Sequence, residues 1–219
     1  MKKDNLIENT KLFVKEKLKN AEGGHDYFHI IRVYNNALNI YNKEENPGSK
    51  LVVELGALLH DIADSKFYDG DESVGPKVAR EFLESQNVEE DIILHIIKII
   101  ENISFKGGNF EQKFKSKELD IIQDADRLDA LGAIGIARTF NFGGHFGREI
   151  YNPDIKPNLN MTKEEYKKSK NHTINHFYEK LLLLKDKMNT KTAKQIAKER
   201  HKFMELFLEQ FYKEWKGEL

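Results

Sequence analysis

The chain has 219 residues, enough to bury a core without cross-links, and its 35 Lys and Arg against 36 Asp and Glu leave a formal net charge of −1. That balance excludes a global field that would draw the protein onto DNA, RNA or an anionic membrane. Cysteine is absent, which excludes disulfides, thiolate metal sites and thiol nucleophiles, so any metal must be held by His, Asp, Glu or backbone oxygen, donors that suit Mg, Mn, Fe or Ni.

Charges interrupt every apolar run of the first twenty residues. The N-terminus therefore reads as neither a signal peptide nor a membrane span, and the expected location is the reducing cytoplasm. Residues 5–19 predict a helix with Leu6 and Phe13 on one stripe, broken by Gly23-Gly24. A second helix is expected from about Asp26 to Tyr41, ended by Pro47-Gly48. Leu51 to Ala63 reads as a buried helix. Asp71 or Ser73 can cap a helix running to about Ser85, and another spans roughly Glu89 to Ile103. SFKGGN at 104–109 reads as a loop. Residues 117–140 read as one long buried helix or a helix pair, with Gly132 and Gly135 allowing close packing. The stretch 141–158, NFGGHFGREIYNPDIKPN, is expected to be the longest irregular segment, of the kind a ligand orders. Thr162 starts a predicted helix to about Met188, and Thr190 another to about Trp215. No strand-period alternation or internal repeat stands out. The expected fold is all-α, a bundle of about eight helices with no significant sheet, forming one domain over 1–219.

Three of the eight histidines lie in unusual company. His25 and His29 sit in GHDYFHIIRV, and His60 sits in ALLHDIAD. His60-Asp61 interrupts an apolar run, and a buried carboxylate there needs a charge partner or a metal. A lone His-Asp pair is more often a core imidazole satisfied by its neighbour. Adjacent residues of a helix point about 100° apart, so both could hold one ion only over the seam between them, with other ligands coming from other helices. His29, on the preceding predicted helix, could face the same ion, whereas His25, at the helix entrance, could be a cap. Asp124, Asp126 and Asp129 crowd an otherwise apolar segment, where carboxylates make little sense without a cation. Asp126 and Asp129 share a helix face and Asp124 points elsewhere.

This order of pieces resembles the HD superfamily of metal-dependent phosphohydrolases. The match runs through GHDYFHIIRVYNNA, LLHDIAD and DADRLDALGAIGIARTF over residues 20–140, and extends through NHTINHFYEKL and IAKERHKFMELFLEQF. The chain looks like the small bacterial HD hydrolases related to a Bacillus nucleotide pyrophosphohydrolase. The resemblance implies an HD-domain helical bundle with a metal-binding core over about 20–140 and a C-terminal helical part over about 160–217 packing on it. It implies one divalent ion, Mn or Mg first with Co, Ni and Fe also suited, held by His29, His60, Asp61 and Asp126. Similarity of ADRL to the stringent-response ppGpp hydrolases is what favours Asp126 over Asp124. Asp64 stands where HD nucleotidases carry a carboxylate acting on the attacking water, usually Glu, so its role as base is an expectation.

Phosphoryl transfer also needs cations around the non-bridging oxygens. Candidates are Arg32, Lys66, Lys106 beside two glycines, Arg127 and Arg138, the last of which, among small and apolar residues, better suits a buried pairing. His145 and Arg148 lie in the Gly-rich stretch. His172 and His176 are spaced to share a helix face, with His176 expected in the cleft as a substrate contact and His172 partly exposed. His95 stands where dinuclear HD phosphodiesterases carry a His-His pair, and its lone presence argues for a single ion. His95 itself is expected in the core, or supporting a ligand from behind, rather than bound to the metal.

The expected activity is hydrolysis of a nucleotide or related phosphate, with nucleoside triphosphate pyrophosphohydrolase first. A 5′-nucleotidase and a nucleotide-sensing module without turnover are the alternatives. The expected partner is a small phosphate compound, with no nucleic acid or membrane. The aromatic C-terminal helices suit either a core or a homodimer face.

Overall fold

The computed structural model describes residues 3–19, 26–63, 71, 73–103, 113–159 and 171–218. Three of the described helices start at a side-chain acceptor for otherwise orphaned backbone N–H groups. α1 covers Lys3–Lys17. α2 (Tyr27–Tyr41) is capped by Asp26, whose carboxylate accepts from the His29 N–H at 2.8 Å. α3 (Lys50–Leu59) is capped by Ser49. α4 (Val74–Ser85) follows a turn in which Asp71 accepts from both the backbone and the hydroxyl of Ser73. α5 is Glu90–Asn102 and α6 is Lys117–Asp129. α7 is Gly132–His145, α8 Asn175–Glu179 and α9 Lys191–Trp215, the last capped by Thr190. A 3-10 helix, Leu181–Lys187, separates the final two. That makes nine α-helices and no strand among the described residues.

The chain divides into two compact units, Met1–Ala125 and Asp126–Leu219. In the first, α3 is the central element. Every residue from Val52 to Leu59 is buried, and α1, α2 and α5 pack around it. Gly56 lets α6 approach, since a Cβ there would lie 2.6 Å from the Ile122 side chain. Phe13 of α1 stacks on Phe82 of α4 with centroids 4.1 Å apart.

The second unit is built on α9, which packs against α7 and the 3-10 helix. Phe140, Phe177 and Phe207 meet at centroid distances of 5.8 to 6.1 Å. Tyr151 lies edge-on to Tyr212 and Trp215 at 5.4 and 5.0 Å. The buried carboxylate of Asp129, at the end of α6, takes a 2.9 Å ion pair from Arg138 of α7, so Arg138 is a pairing residue, as its apolar sequence surroundings predicted.

Of the two alternatives for 117–140, the helix pair is the one observed, broken at Ala130-Leu131 because Gly132 adopts φ +72, a conformation open to glycine and costly for other residues. Three expectations about elements change. Irregular backbone begins at 146 rather than 141, because α7 continues to His145. The helix expected to run from Thr162 to Met188 is not continuous. Residues 160–170 lie outside the described set, and α8 ends at Lys180, whose backbone turns to φ −142, ψ −59. The 3-10 helix then begins, its three-residue period placing the buried Leu181 and Leu184 on one face. Finally, α3 stops at Leu59, not Ala63.

Candidate metal centre

The early end of α3 matters because it moves His60-Asp61 off the regular helix. His60 is the C-cap, and the Ile62 N–H turns back to Leu59 O. In that position the Nδ1 of His60 lies 2.8 Å from the Ala57 carbonyl. A carbonyl can only accept, so Nδ1 carries the proton and Nε2 is the ring nitrogen with the lone pair, the form that can ligate a cation. A backbone carbonyl holding the second ring nitrogen is the arrangement that orients metal-bound histidines generally.

His29 is buried in the first turn of α2, where Asp26 fixes its backbone. Its ring and that of His60 have centroids 5.5 Å apart, inclined by 66°. The division between units falls inside α6, one unbroken helix, so Asp126 rides on the same helical turn as Ala125. The side-chain amide of Asn36 on α2 donates to the Ala125 carbonyl at 3.4 Å, holding that turn beside α2. Donor atoms of His29, His60 and Asp126 all lie within 4.8 Å of one another. Two imidazoles and a carboxylate so placed fit a divalent first-row ion.

The other residues singled out from sequence fall as follows. Asp61 is half-buried in the turn after α3 and stands outside the group of three. Asp124 is fully buried and also outside it, while Asp129 is bound to Arg138. Arg127 donates to the Lys187 carbonyl. Asp64, Lys66, Lys106 and His25 lie outside the described residues. His95 is half-exposed, with Nε2 3.0 Å from Ser116 Oγ and 3.6 Å from Glu118, so it braces the start of α6 rather than sitting in the core. His145 is exposed beside Phe146.

His172 is a correction. It is buried rather than partly exposed, because Nδ1 accepts from the Asn175 N–H and Nε2 donates to the Ile155 carbonyl, which leaves neither nitrogen to the solvent. It also precedes α8, so it shares no helix face with His176. His176 is half-buried, and its imidazole is held down to about 3 from an ordinary 6.5 by burial first, then by Lys180 and Arg148. Lys180 was not singled out from sequence, although its four-residue spacing from His176 was visible.

The HD domain family model matches residues 26–131, the stretch that carries His29, His60 and Asp126. YpgQ of Bacillus subtilis is 36% identical over 220 residues, spanning 99% of this chain and 97% of its own. A crystal structure of an HD-superfamily hydrolase from Bacillus thuringiensis is 44% identical, with a TM-score of 0.76 over 98% of both chains. YpgQ crystallised in complex with ADP is 31% identical in the superposed region, with a TM-score of 0.73 over 95% of this chain and 97% of that one.

Proposed function

The chain belongs to the HD-domain family, and from that premise we propose that it is a divalent-metal-dependent phosphohydrolase whose substrate is a nucleoside triphosphate, cleaved to a nucleotide and pyrophosphate. The observation that carries the reading is the group His29, His60 and Asp126 together with the His60–Ala57 bond, which presents Nε2 as a lone-pair donor. These three residues would hold the ion, and Asp61 is proposed as the fourth ligand. When bound, the ion supplies Lewis acidity toward water and toward a phosphoryl oxygen. The chain's own contributions follow. The Ala57 carbonyl fixes the His60 imidazole, and the Asp26 cap fixes the backbone that carries His29, before substrate arrives. Asp64 is proposed as the proton acceptor for the attacking water, with Lys106 and His176 as contacts to phosphate oxygens. The Arg127 guanidinium is engaged by the Lys187 carbonyl, which favours a scaffolding role over a substrate contact. The nucleotide class is supported by the relative YpgQ, crystallised with ADP.

The test is a screen for released phosphate and pyrophosphate over nucleotides with Mn, Mg, Co and Ni. Pyrophosphate from triphosphates is expected, and Asp126→Ala should lower the rate by roughly 100-fold or more, the ligand being at least as critical as the groups that orient it. Phosphate released from monophosphates would instead identify a 5′-nucleotidase. Tight nucleotide binding without turnover would identify a sensing module.

A further inference from the structure

We infer that Glu118 is a positioning residue for the metal centre: by joining the first turns of α3 and α6 it sets how far the two helices lie along one another, and so the span between His60 and Asp126. The role rests on the proposed centre, whereas the clamp rests on contacts inside the first unit.

Three points tie α3 to α6, in the same order along both. At the start, the carboxylate of Glu118, in the first turn of α6, accepts the N–H of Ser49, the N-cap of α3, at 2.7 Å. Further on, Gly56 lies against the Ile122 side chain. At the end, donor atoms of His60 and Asp126 lie within 4.8 Å of one another. That order makes the two helices parallel. Gly56 and Ile122 precede His60 and Asp126 by the same four residues, so the middle and last ties share one register. Glu118 lies three residues further along than Ser49 in that register, about 4.5 Å at the helical rise. The glutamate covers this because helical side chains lean toward the N-terminus. The Ile122 tip is movable, and the last tie is a site for an ion. The bond from Ser49 to Glu118 is directional and is present without one.

The clamp is built to hold one length. Glu118 is buried at 7% exposure, and a buried carboxylate needs partners. One oxygen takes the Ser49 N–H, and the other lies 3.6 Å from His95 Nε2 on α5. That nitrogen is also 3.0 Å from Ser116 Oγ, which accepts the Leu119 N–H at 3.1 Å. Gly48 makes the space. It adopts φ +86, and a Cβ there would fall on the Glu118 carboxylate. The negative charge also suits the N-terminal ends of α3 and α6. One carboxylate therefore joins the starts of two helices to a side chain of a third. Ligand constellations tolerate displacements of only about 0.5 Å, so a slip between α3 and α6 is felt where His60 and Asp126 converge.

The experiment measures Mn binding to the full-length protein by loss of the free-Mn paramagnetic resonance signal, well below each variant's melting temperature. Glu118→Leu should weaken binding about tenfold, the effect usual when a group that orients ligands is lost. Glu118→Gln keeps an acceptor for the Ser49 N–H and should restore most of the affinity. Ser49→Pro removes the donor at a φ of −80 that proline accepts and should also weaken binding about tenfold. Ser49→Gly keeps the N–H and should bind as the parent does. Leu83→Ala, in the core of α4, lowers stability with the clamp intact and should also bind as the parent does. If Glu118→Leu fails to fold, the two Ser49 variants decide. Parent-like affinity in folded Glu118→Leu or in Ser49→Pro, no rescue by Glu118→Gln, or an equal loss in Ser49→Gly or Leu83→Ala would each overturn the inference. Those outcomes leave the parent's ion and the hydrolase reading in place. A parent that binds neither Mn nor any other ion of the nucleotide screen removes the centre and this role with it. A parent that binds Mn and hydrolyses no nucleotide removes the hydrolase reading alone.

Discussion

At the scale of single residues, the centre depends on a hydrogen bond that no ligand pattern encodes. His60 can present Nε2 because Nδ1 is bound to the Ala57 carbonyl at the C-terminal end of α3. His60→Ala and His29→Ala should each abolish metal-induced thermal stabilisation while keeping the helical circular dichroism spectrum; full stabilisation in either variant would rule out that residue as a ligand. His176 has a different consequence. Its pKa is held at about 3 in the folded protein against 6.5 ordinarily, so between those values the unfolded chain binds a proton that the folded chain refuses. Stability from this residue is present above pH 6.5 and declines as pH falls toward 3. Urea unfolding at pH 7 and pH 5 should therefore differ less in His176→Asn than in the parent. An unchanged difference would mean that His176 does not titrate this way. His29 and His60 were legible in the sequence through their order and their apolar company, whereas Asp126 was separated from Asp124 by the resemblance of its ADRL segment. The tautomer of His60 was not, because it depends on where α3 ends.

At the scale of elements, the helix starts at Asp26 and Thr190 were legible, because their capping chemistry is local to the sequence, whereas the cap at Ser49 was not singled out and Ser73 starts α4 without a side-chain cap bond. The break at Lys180 has no Gly or Pro to announce it. Burial of Leu181 and Leu184 against the rest of the second unit selects the three-residue period there, and tertiary packing of that kind is not written locally. Asp129 was one of three carboxylates in an apolar segment that called for a cation, and the α6–α7 corner supplies that cation as Arg138. Arg138→Met should cost about 3 kcal/mol in chemical denaturation, since it leaves a buried carboxylate without its guanidinium. The same corner is intolerant of bulk, because a Cβ on Gly135 would lie 2.2 Å from the Ala130 carbonyl oxygen. Gly135→Ala should cost on the order of 2 kcal/mol, and Gly56→Ala less, because its obstacle is the movable tip of Ile122 rather than backbone.

At the scale of the whole molecule, the division after Ala125 was not visible in the sequence, because it falls within the continuous helix α6. No described helix is long and apolar enough to cross a membrane. An ion that binds only the folded chain raises its stability by mass action, by about 2.7 kcal/mol at a concentration 100 times its Kd. For a chain of this length that corresponds to a Tm increase of roughly 5–10 °C with Mn. No increase with any divalent ion would contradict the centre. The single tryptophan of the chain is Trp215, at the end of α9, with Tyr151 5.0 Å away and Phe211 stacked at 6.0 Å. The molecule thus carries one indole fluorophore, within energy-transfer distance of the Tyr151 phenol and confined to its second half. Its emission reports that half alone, whereas far-ultraviolet ellipticity sums every helix. Overlaying the two melting curves reveals whether the halves come apart in one event or in two.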